Sequence, residues 1–211
     1  KNPLILHIAS REQLVPLVKK ISRQAQKLID AFWPGPLTIC FEKRPEVSDL
    51  VTAGLSTVCV RMPSHPLARA LLKDINQPLA APSANLSGKP SATTFQDAKQ
   101  QLGKKGVLFL DGGASPLGIE STVIDCSRKP VRLLRPGVIS QEEIERVLGE
   151  RILDESSAEK ISSPGQLLEH YAPAGKLIVI FGEKSRRREW LEKNVKPMSF
   201  LGLVGKNADF P

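Results

Sequence analysis

The sequence predicts an α/β (α+β) fold, and three observations predict it. Apolar runs of strand length alternate with segments of helical spacing up to about residue 149. Gly and Pro, 15 and 17 of the 211 residues, fall between those segments as turn signals. Hydrophobic residues at 41% and charged residues at 25% exclude disordered and collagen-like chains. At roughly 150 residues per domain, the length allows one full domain and a remainder.

The elements follow in order. Leu4 to Ile8 reads as a buried strand, and Ser10 with Gln13 three residues on predicts a capping box that opens a helix. Ala25, Leu28, Ile29 and Phe32 share one face of a second helix, which Trp33-Pro34-Gly35-Pro36 must end because proline has no N–H to donate. Strands are expected at Leu37–Phe41 and Thr57–Met62, a short helix at His65–Lys73 and a strand at Pro78–Ala81. Thr94–Leu102 reads as a helix, Val107–Leu110 as a buried strand and Asp111-Gly112-Gly113 as a turn. Strands at Ser121–Asp125 and Val131–Leu134 precede a helix capped by Ser140 and Glu143 and stopped by Gly149. Residues 150–175 are polar and turn-rich, as in a linker. Lys176–Phe181 then restarts a strand, Arg186–Lys193 a helix and Phe200–Val204 an apolar run.

The chain opens at Lys1 on an apolar run without an initiator Met, and reads as a fragment that begins inside its first unit. No apolar run approaches the roughly 20 residues of a membrane span, and no leader pattern opens the chain. Cys40, Cys59 and Cys126 are three, far apart and set in apolar segments, which predicts buried thiols in a reducing, cytoplasmic compartment. The net charge of +8 favours anionic partners such as nucleotides or RNA, although a basic soluble surface accounts for it equally.

Several phosphate and metal signatures are missing. There is no Gly-rich loop ending in Lys-Ser or Lys-Thr, no dinucleotide fingerprint, no nucleophile elbow and no metal spacing among the three His. Phosphate recognition would therefore rest on arginines, hydroxyls and backbone N–H groups. Ser83 and Asn85 follow a strand end and face the same side if the segment is extended; an ordinary polar turn is the other reading. Arg61 and Arg135 each end a strand, where a guanidinium fork suits a carboxylate or phosphate, or simply faces solvent. Ser121 and Thr122 open a strand, and His7 ends one as a rim or core histidine.

Five segments together resemble one family. Trp33-Pro34-Gly35-Pro36-Leu37-Thr38, the run Thr52 to Pro63, Ala80-Ala81-Pro82-Ser83-Ala84-Asn85-Leu86-Ser87-Gly88, Gly118-Ile119-Glu120-Ser121-Thr122 and Leu133-Leu134-Arg135-Pro136-Gly137 are similar to the YrdC-type threonylcarbamoyl-AMP synthases. Ser163-Pro164-Gly165 and His170-Tyr171-Ala172-Pro173 resemble the linker of the two-domain members, although Gln166-Leu167-Leu168-Glu169 replaces a more basic stretch.

The resemblance implies a YrdC-like twisted mixed sheet with flanking helices and a concave basic groove over 1–149, a linker over 150–175, and the start of a truncated Rossmann-like domain over 176–211. It implies a nucleotidyltransferase that joins L-threonine, bicarbonate and ATP into threonylcarbamoyl-AMP and pyrophosphate, for threonylcarbamoyladenosine modification of tRNA. Ser83 and Asn85 would be the catalytic Ser-x-Asn half. Asn2, Thr57, Ser83, Ser91, Arg135 and Tyr171 would contact ATP, and His7, Arg61, the Ala81 backbone and Ser121 would hold threonine. Mg²⁺ would arrive with ATP, with no protein-held metal. The partners implied are tRNA-modifying proteins that use the product, with contact to double-stranded RNA and none to membrane.

The family's Lys-x-Arg half should precede Asn2, so the chain by itself is expected to be inactive. The alternatives are the YrdC-like domain of a carbamoyltransferase, whose zinc-finger cysteines are not seen here, and a non-catalytic RNA-binding module. The latter is poorly supplied with stacking surfaces, since aromatics are 5% with one Tyr.

Overall fold

In the computed structural model, which describes residues 2–156 and 183–194, the strands of the first unit form one mixed sheet. They are β1 (Ile5–His7), β2 (Leu37–Glu42), β3 (Thr57–Arg61), β4 (Leu79–Ala81), β5 (Thr122–Asp125), β6 (Arg132–Arg135) and β7 (Leu153–Asp154). Their order is β4-β1-β3-β2-β5-β6-β7. β1 with β3, β2 with β5 and β6 with β7 run parallel, and the other neighbours antiparallel. The helices are α1 (Arg23–Phe32), α2 (Asp49–Thr52), α3 (Pro66–Ile75), α4 (Phe95–Leu102), α5 (Gln141–Leu148) and α6 (Lys184–Asn194). The chain divides into two compact units, Lys1–Pro173 and Ala174–Pro211. Of the second, α6 is described and matches the helix expected at Arg186–Lys193.

The strand alternation sorts the sheet's two faces. Leu6, Ile39, Phe41, Val58, Val60, Ile124 and Leu133 join Ala25, Leu28 and Ile29 of α1 and Ile144 and Leu148 of α5 in the main core. Burying each such Leu, Ile or Phe contributes about 1.5–3 kcal/mol. The residues between them, Ile5, Cys40, Cys59, Val123 and Leu134, form a second apolar cluster on the opposite face.

Caps and prolines hold the main layer in place. Ser22 Oγ accepts the N–H of Ala25 at 3.2 Å to open α1. α1 ends at Trp33, whose indole N–H donates to Leu37 O at 2.8 Å. Gly35 follows where a Cβ would stand 2.3 Å from Phe32 O, so no other residue fits the turn. Ser140 and Glu143 form the full capping box of α5, and Gly149 ends it at φ +75°.

Three expectations are overturned. Ser10 opens only a four-residue 3-10 turn, Arg11–Leu14, and makes no side-chain cap; Gln13 accepts instead from the N–H of Ala9 at 2.8 Å. Pro16 has no N–H with which to extend the turn into an α-helix. Val107–Leu110 is not a strand, and Leu108 is 97% exposed. The segment pairs with no described strand, and its Phe109 packs edge-on against Phe95 of α4, ring centroids 6.0 Å apart. Cys40 and Cys59 are joined in a disulfide, because β2 and β3 pair antiparallel with these two residues directly opposite. Cys126 remains a free thiol whose burial pushes its pKa up.

The strand expected at 176–181, the apolar run at 200–204 and the linker from residue 157 lie outside the described residues.

Candidate functional site

One row of side chains crosses the sheet on the face of the second cluster. Leu79 of β4 pairs with His7 of β1, and His7 pairs with Arg61 of β3. The β2–β3 register matches Ile39 with Val60 and, one step further, brings Thr38 opposite Arg61. Thr38 pairs with Val123 of β5, and Val123 with Arg135 of β6. His7, Arg61 and Arg135 are far apart in sequence and become neighbours only through this register.

Arg135 anchors one end of the row. Its Nε and Nη2 donate to Ser121 O at 3.1 and 2.8 Å, its Nη2 also to Ser121 Oγ at 3.0 Å, and its Nη1 to Glu120 Oε2 at 2.5 Å. Glu120 Oε1 accepts from Ser91 Oγ at 2.7 Å, which draws the loop after β4 to the same place. Ser121 Oγ lies 2.9 Å from Thr38 Oγ1. Ser91, Glu120, Ser121, Arg135 and Thr38 are thus one hydrogen-bonded network.

Arg61 presents a second guanidinium. Its Nε donates to Gly35 O at 3.0 Å, which fixes the plane of the group and leaves the Nη fork for an acceptor. Burial and the Arg135 charge pull its pKa below the usual guanidinium value, while Glu120 opposes them. Two cations facing one region with a single carboxylate between them make an anion-attracting surface. Burial, helped by the Arg61 charge, lowers His7 to about 4, so its imidazole is neutral at pH 7. Its Nδ1 is buried with no hydrogen-bond partner.

The remaining expected residues divide. Thr57 begins β3 on the same face as Arg61, four residues or about 13 Å away along the strand. Asn2 precedes β1, and its Oδ1 is buried without a partner. Ala81 ends β4 opposite Ile5. The loop after it is not extended. Asn85 N–H donates to Ser83 O at 3.0 Å, which closes a tight turn, so Ser83 and Asn85 do not line up by strand alternation. The Asn85 amide nitrogen is committed to Leu86 O and Lys89 O, both at 2.8 Å, and its Oδ1 is buried and unpartnered. Tyr171 lies outside the described residues.

Sequence reasoning missed Glu120 and Thr38, although both sit inside quoted motifs. A carboxylate directly before Ser121 in a chain of net charge +8 was a usable signal for the first. The second has none, because its role arises from sheet register. A cavity of about 210 Å³ lies elsewhere, between α1 and the end of α5, lined by Arg23, Gln24, Lys27, Leu148 and Glu150. None of the expected site residues borders it.

Comparison with known proteins matches two family models to successive parts of the chain. A family model described as Sua5_yciO_yrdC, telomere recombination, matches residues 1–137. A second, described as threonylcarbamoyl-AMP synthase, C-terminal domain, matches residues 139–208. The chain is 44% identical over 215 aligned residues to the threonylcarbamoyl-AMP synthase of Pyrococcus abyssi, an alignment covering 98% of this chain and 63% of that protein. It is 43% identical to the Bacillus subtilis protein of the same name, covering 91% of this chain and 57% of that one. The chain therefore spans about 60% of the length of these relatives. The crystal structure of P. abyssi Sua5 complexed with L-threonine superposes with a TM-score of 0.84 at 44% identity, over 91% of this chain and 58% of that one.

Proposed function

The chain belongs to the Sua5–YciO–YrdC family, and from that premise we propose that its protein is an L-threonylcarbamoyladenylate synthase, making threonylcarbamoyl-AMP and pyrophosphate from L-threonine, bicarbonate and ATP for tRNA modification. The observation that carries this reading is the cross-sheet row, which sets a neutral imidazole, two guanidinium groups and a hydroxyl side by side on one face. The L-threonine bound to the P. abyssi relative supports the amino-acid half of it.

In this reading the Arg61 fork pairs with the threonine carboxylate and leaves the amine free to react. His7 accepts a hydrogen bond from that amine and does not deprotonate it, since a base with a pKa of about 4 is too weak to take a proton from an ammonium. The ammonium gives its extra proton to solvent, and the free amine attacks the bicarbonate carbon with loss of water to form the carbamate. A carbamate oxygen then attacks the α-phosphorus of ATP, and the bond to pyrophosphate breaks. Arg135, Ser91 and Thr57 line the nucleotide's side, where charge builds on the phosphoryl oxygens. No covalent intermediate with the protein is needed, so rate comes from positioning and electrostatics.

Among the described residues no group of three or more His, Cys, Asp or Glu side chains is placed to hold a metal ion. Mg²⁺ in this reading is held by the triphosphate and arrives with it. Ser83 and Asn85 act at the phosphates as the catalytic Ser-x-Asn half, Tyr171 closes over the nucleotide, the cytoplasm is the place of action, and the product passes to the proteins that modify tRNA.

The test is pyrophosphate release by the full-length protein supplied with ATP. It should depend on both L-threonine and bicarbonate. Release that proceeds without either, or with carbamoyl phosphate replacing both, would move the protein to a different reaction.

A further inference from the structure

Ser121 carries the most constrained hydroxyl of the row. Its Oγ takes an N–H from Arg135 Nη2 at 3.0 Å, and a guanidinium can only donate. Thr38 Oγ1 stands 2.9 Å from the same oxygen, a contact along which either hydroxyl can be the donor. Both hydroxyls are buried, but Ser121 keeps 4% exposure and Thr38 none, so only Ser121 has an open side for its proton. Thr38 is 0% exposed, and among the described residues its hydroxyl has no partner but Ser121. Were Thr38 the acceptor, its own proton would be left in the interior with nothing to bind, a state that carries the full desolvation cost of a polar group. Thr38 therefore donates, Arg135 donates, and both lone pairs of Ser121 Oγ are filled. What Ser121 has left to offer is its proton.

We infer that Thr38 is a positioning residue for the amino-acid substrate. By donating to Ser121 it fixes that hydroxyl as a hydrogen-bond donor, so this end of the row takes an oxygen acceptor of the amino acid and turns away its ammonium. The inference rests on the threonine reading above and deepens it. Thr38 touches no reacting atom; it acts through Ser121. Its place in the register, opposite Arg61 and beside Val123, puts the lock between the guanidinium fork and the hydroxyl that share the substrate. Donation from two sides also polarises the Ser121 O–H and strengthens the bond that it makes.

Thr38→Val keeps the branched shape and removes the donor, and Thr38→Ser keeps the donor and removes a methyl group. In the full-length protein, calorimetric titration should show the Val variant binding L-threonine about three- to ten-fold more weakly, the loss of one neutral hydrogen bond. Its ATP affinity should stay at the unaltered value, and the Ser variant should recover the threonine affinity. Unchanged threonine affinity in the Val variant overturns the inference. So does an equal loss for ATP and threonine, or a Ser variant as weak as Val, since both describe a packing defect.

A thermal-melting cycle of Thr38→Val, Ser121→Ala and the double variant reads the bond with no ligand present. The two single effects should not add; additive effects mean that the hydroxyls are not bonded and overturn the lock. An unaltered protein that binds no threonine removes the functional reading and the amino acid with it. A coupled melting cycle in that same protein still establishes the lock, which separates the two failures.

Discussion

Arg135 grips the backbone carbonyl of Ser121 from two nitrogens, Nε at 3.1 Å and Nη2 at 2.8 Å. A strand-end arginine expected to face a ligand is thus first a brace for the neighbouring chain. The brace matters because Glu120, Ser121 and Thr122 enter β5 together, and the Thr122 hydroxyl is itself tied to Ile139, donating to its O at 2.8 Å and accepting from its N–H at 3.0 Å.

Gly137 lies against that same stretch. A Cβ there would stand 2.4 Å from Thr122 N, 2.5 Å from Glu120 O and 2.6 Å from Ser121 C, all backbone atoms that cannot swing aside. Gly137→Ala should cost about 1–3 kcal/mol by overpacking and weaken threonine binding as well, because the segment it displaces carries Ser121. Calorimetric melting with threonine titration reads both; an unchanged Tm would mean that the turn relaxes freely.

His7 predicts a pH dependence of stability. Its folded pKa of about 4 lies below the unfolded value of 6.5, so between those limits the unfolded chain binds a proton that the folded one refuses. Its contribution is fully present above about pH 6.5 and is lost as the pH falls toward 4. Going from pH 7 to pH 5 should remove about 2 kcal/mol, and His7→Asn should lose that part of the slope. Urea unfolding at the two pH values checks it, and parallel losses in both proteins would place His7 in solvent.

Arg61→Ala should weaken threonine use by about 1.5–3 kcal/mol, the scale of a hydrogen bond to a charged group. Arg61→Lys should rescue little, since an ammonium can neither fork onto a carboxylate nor hold Gly35 O in the same plane. The threonine KM for pyrophosphate release is the measurement, and an unchanged value for either variant would take Arg61 out of the amino-acid site.

Leu108, at 97% exposure, supplies a check on the loop that sequence reading made a strand. Leu108→Lys should change stability by no more than about 0.5 kcal/mol. A loss of several kcal/mol in denaturant unfolding would mean that this side chain is covered in the full-length protein.

Much of the architecture was legible because it is written locally. Apolar runs of strand length marked β2 and β3, helical spacing marked α1, and the Ser140–Glu143 pair marked α5 to the residue. What failed is non-local. Val107–Leu110 has the composition of a strand, but composition does not supply a partner to pair with. Cys40 and Cys59, 19 residues apart, meet only because two strands align antiparallel in one register. Local chemistry also misled at Ser10, where Pro16 outweighed a capping pattern.

The site shows the same divide. Arg61, Arg135, Ser121 and His7 were readable as polar groups at strand ends, but Thr38 is a buried threonine in a strand and looks like ordinary β propensity. Glu120 was passed over because its meaning depends on Ser91 and Arg135, 29 and 15 residues away.

The cross-sheet row has a consequence for biosynthesis. Its members are supplied by β4, β1, β3, β2, β5 and β6, so translation delivers His7 long before Arg135 exists to complete the set. A nascent chain halted on the ribosome short of that residue owns the threonine-facing side chains but lacks the brace that holds Ser121. Recognition here waits on the last strand of the row, whose partners stand far back in the chain.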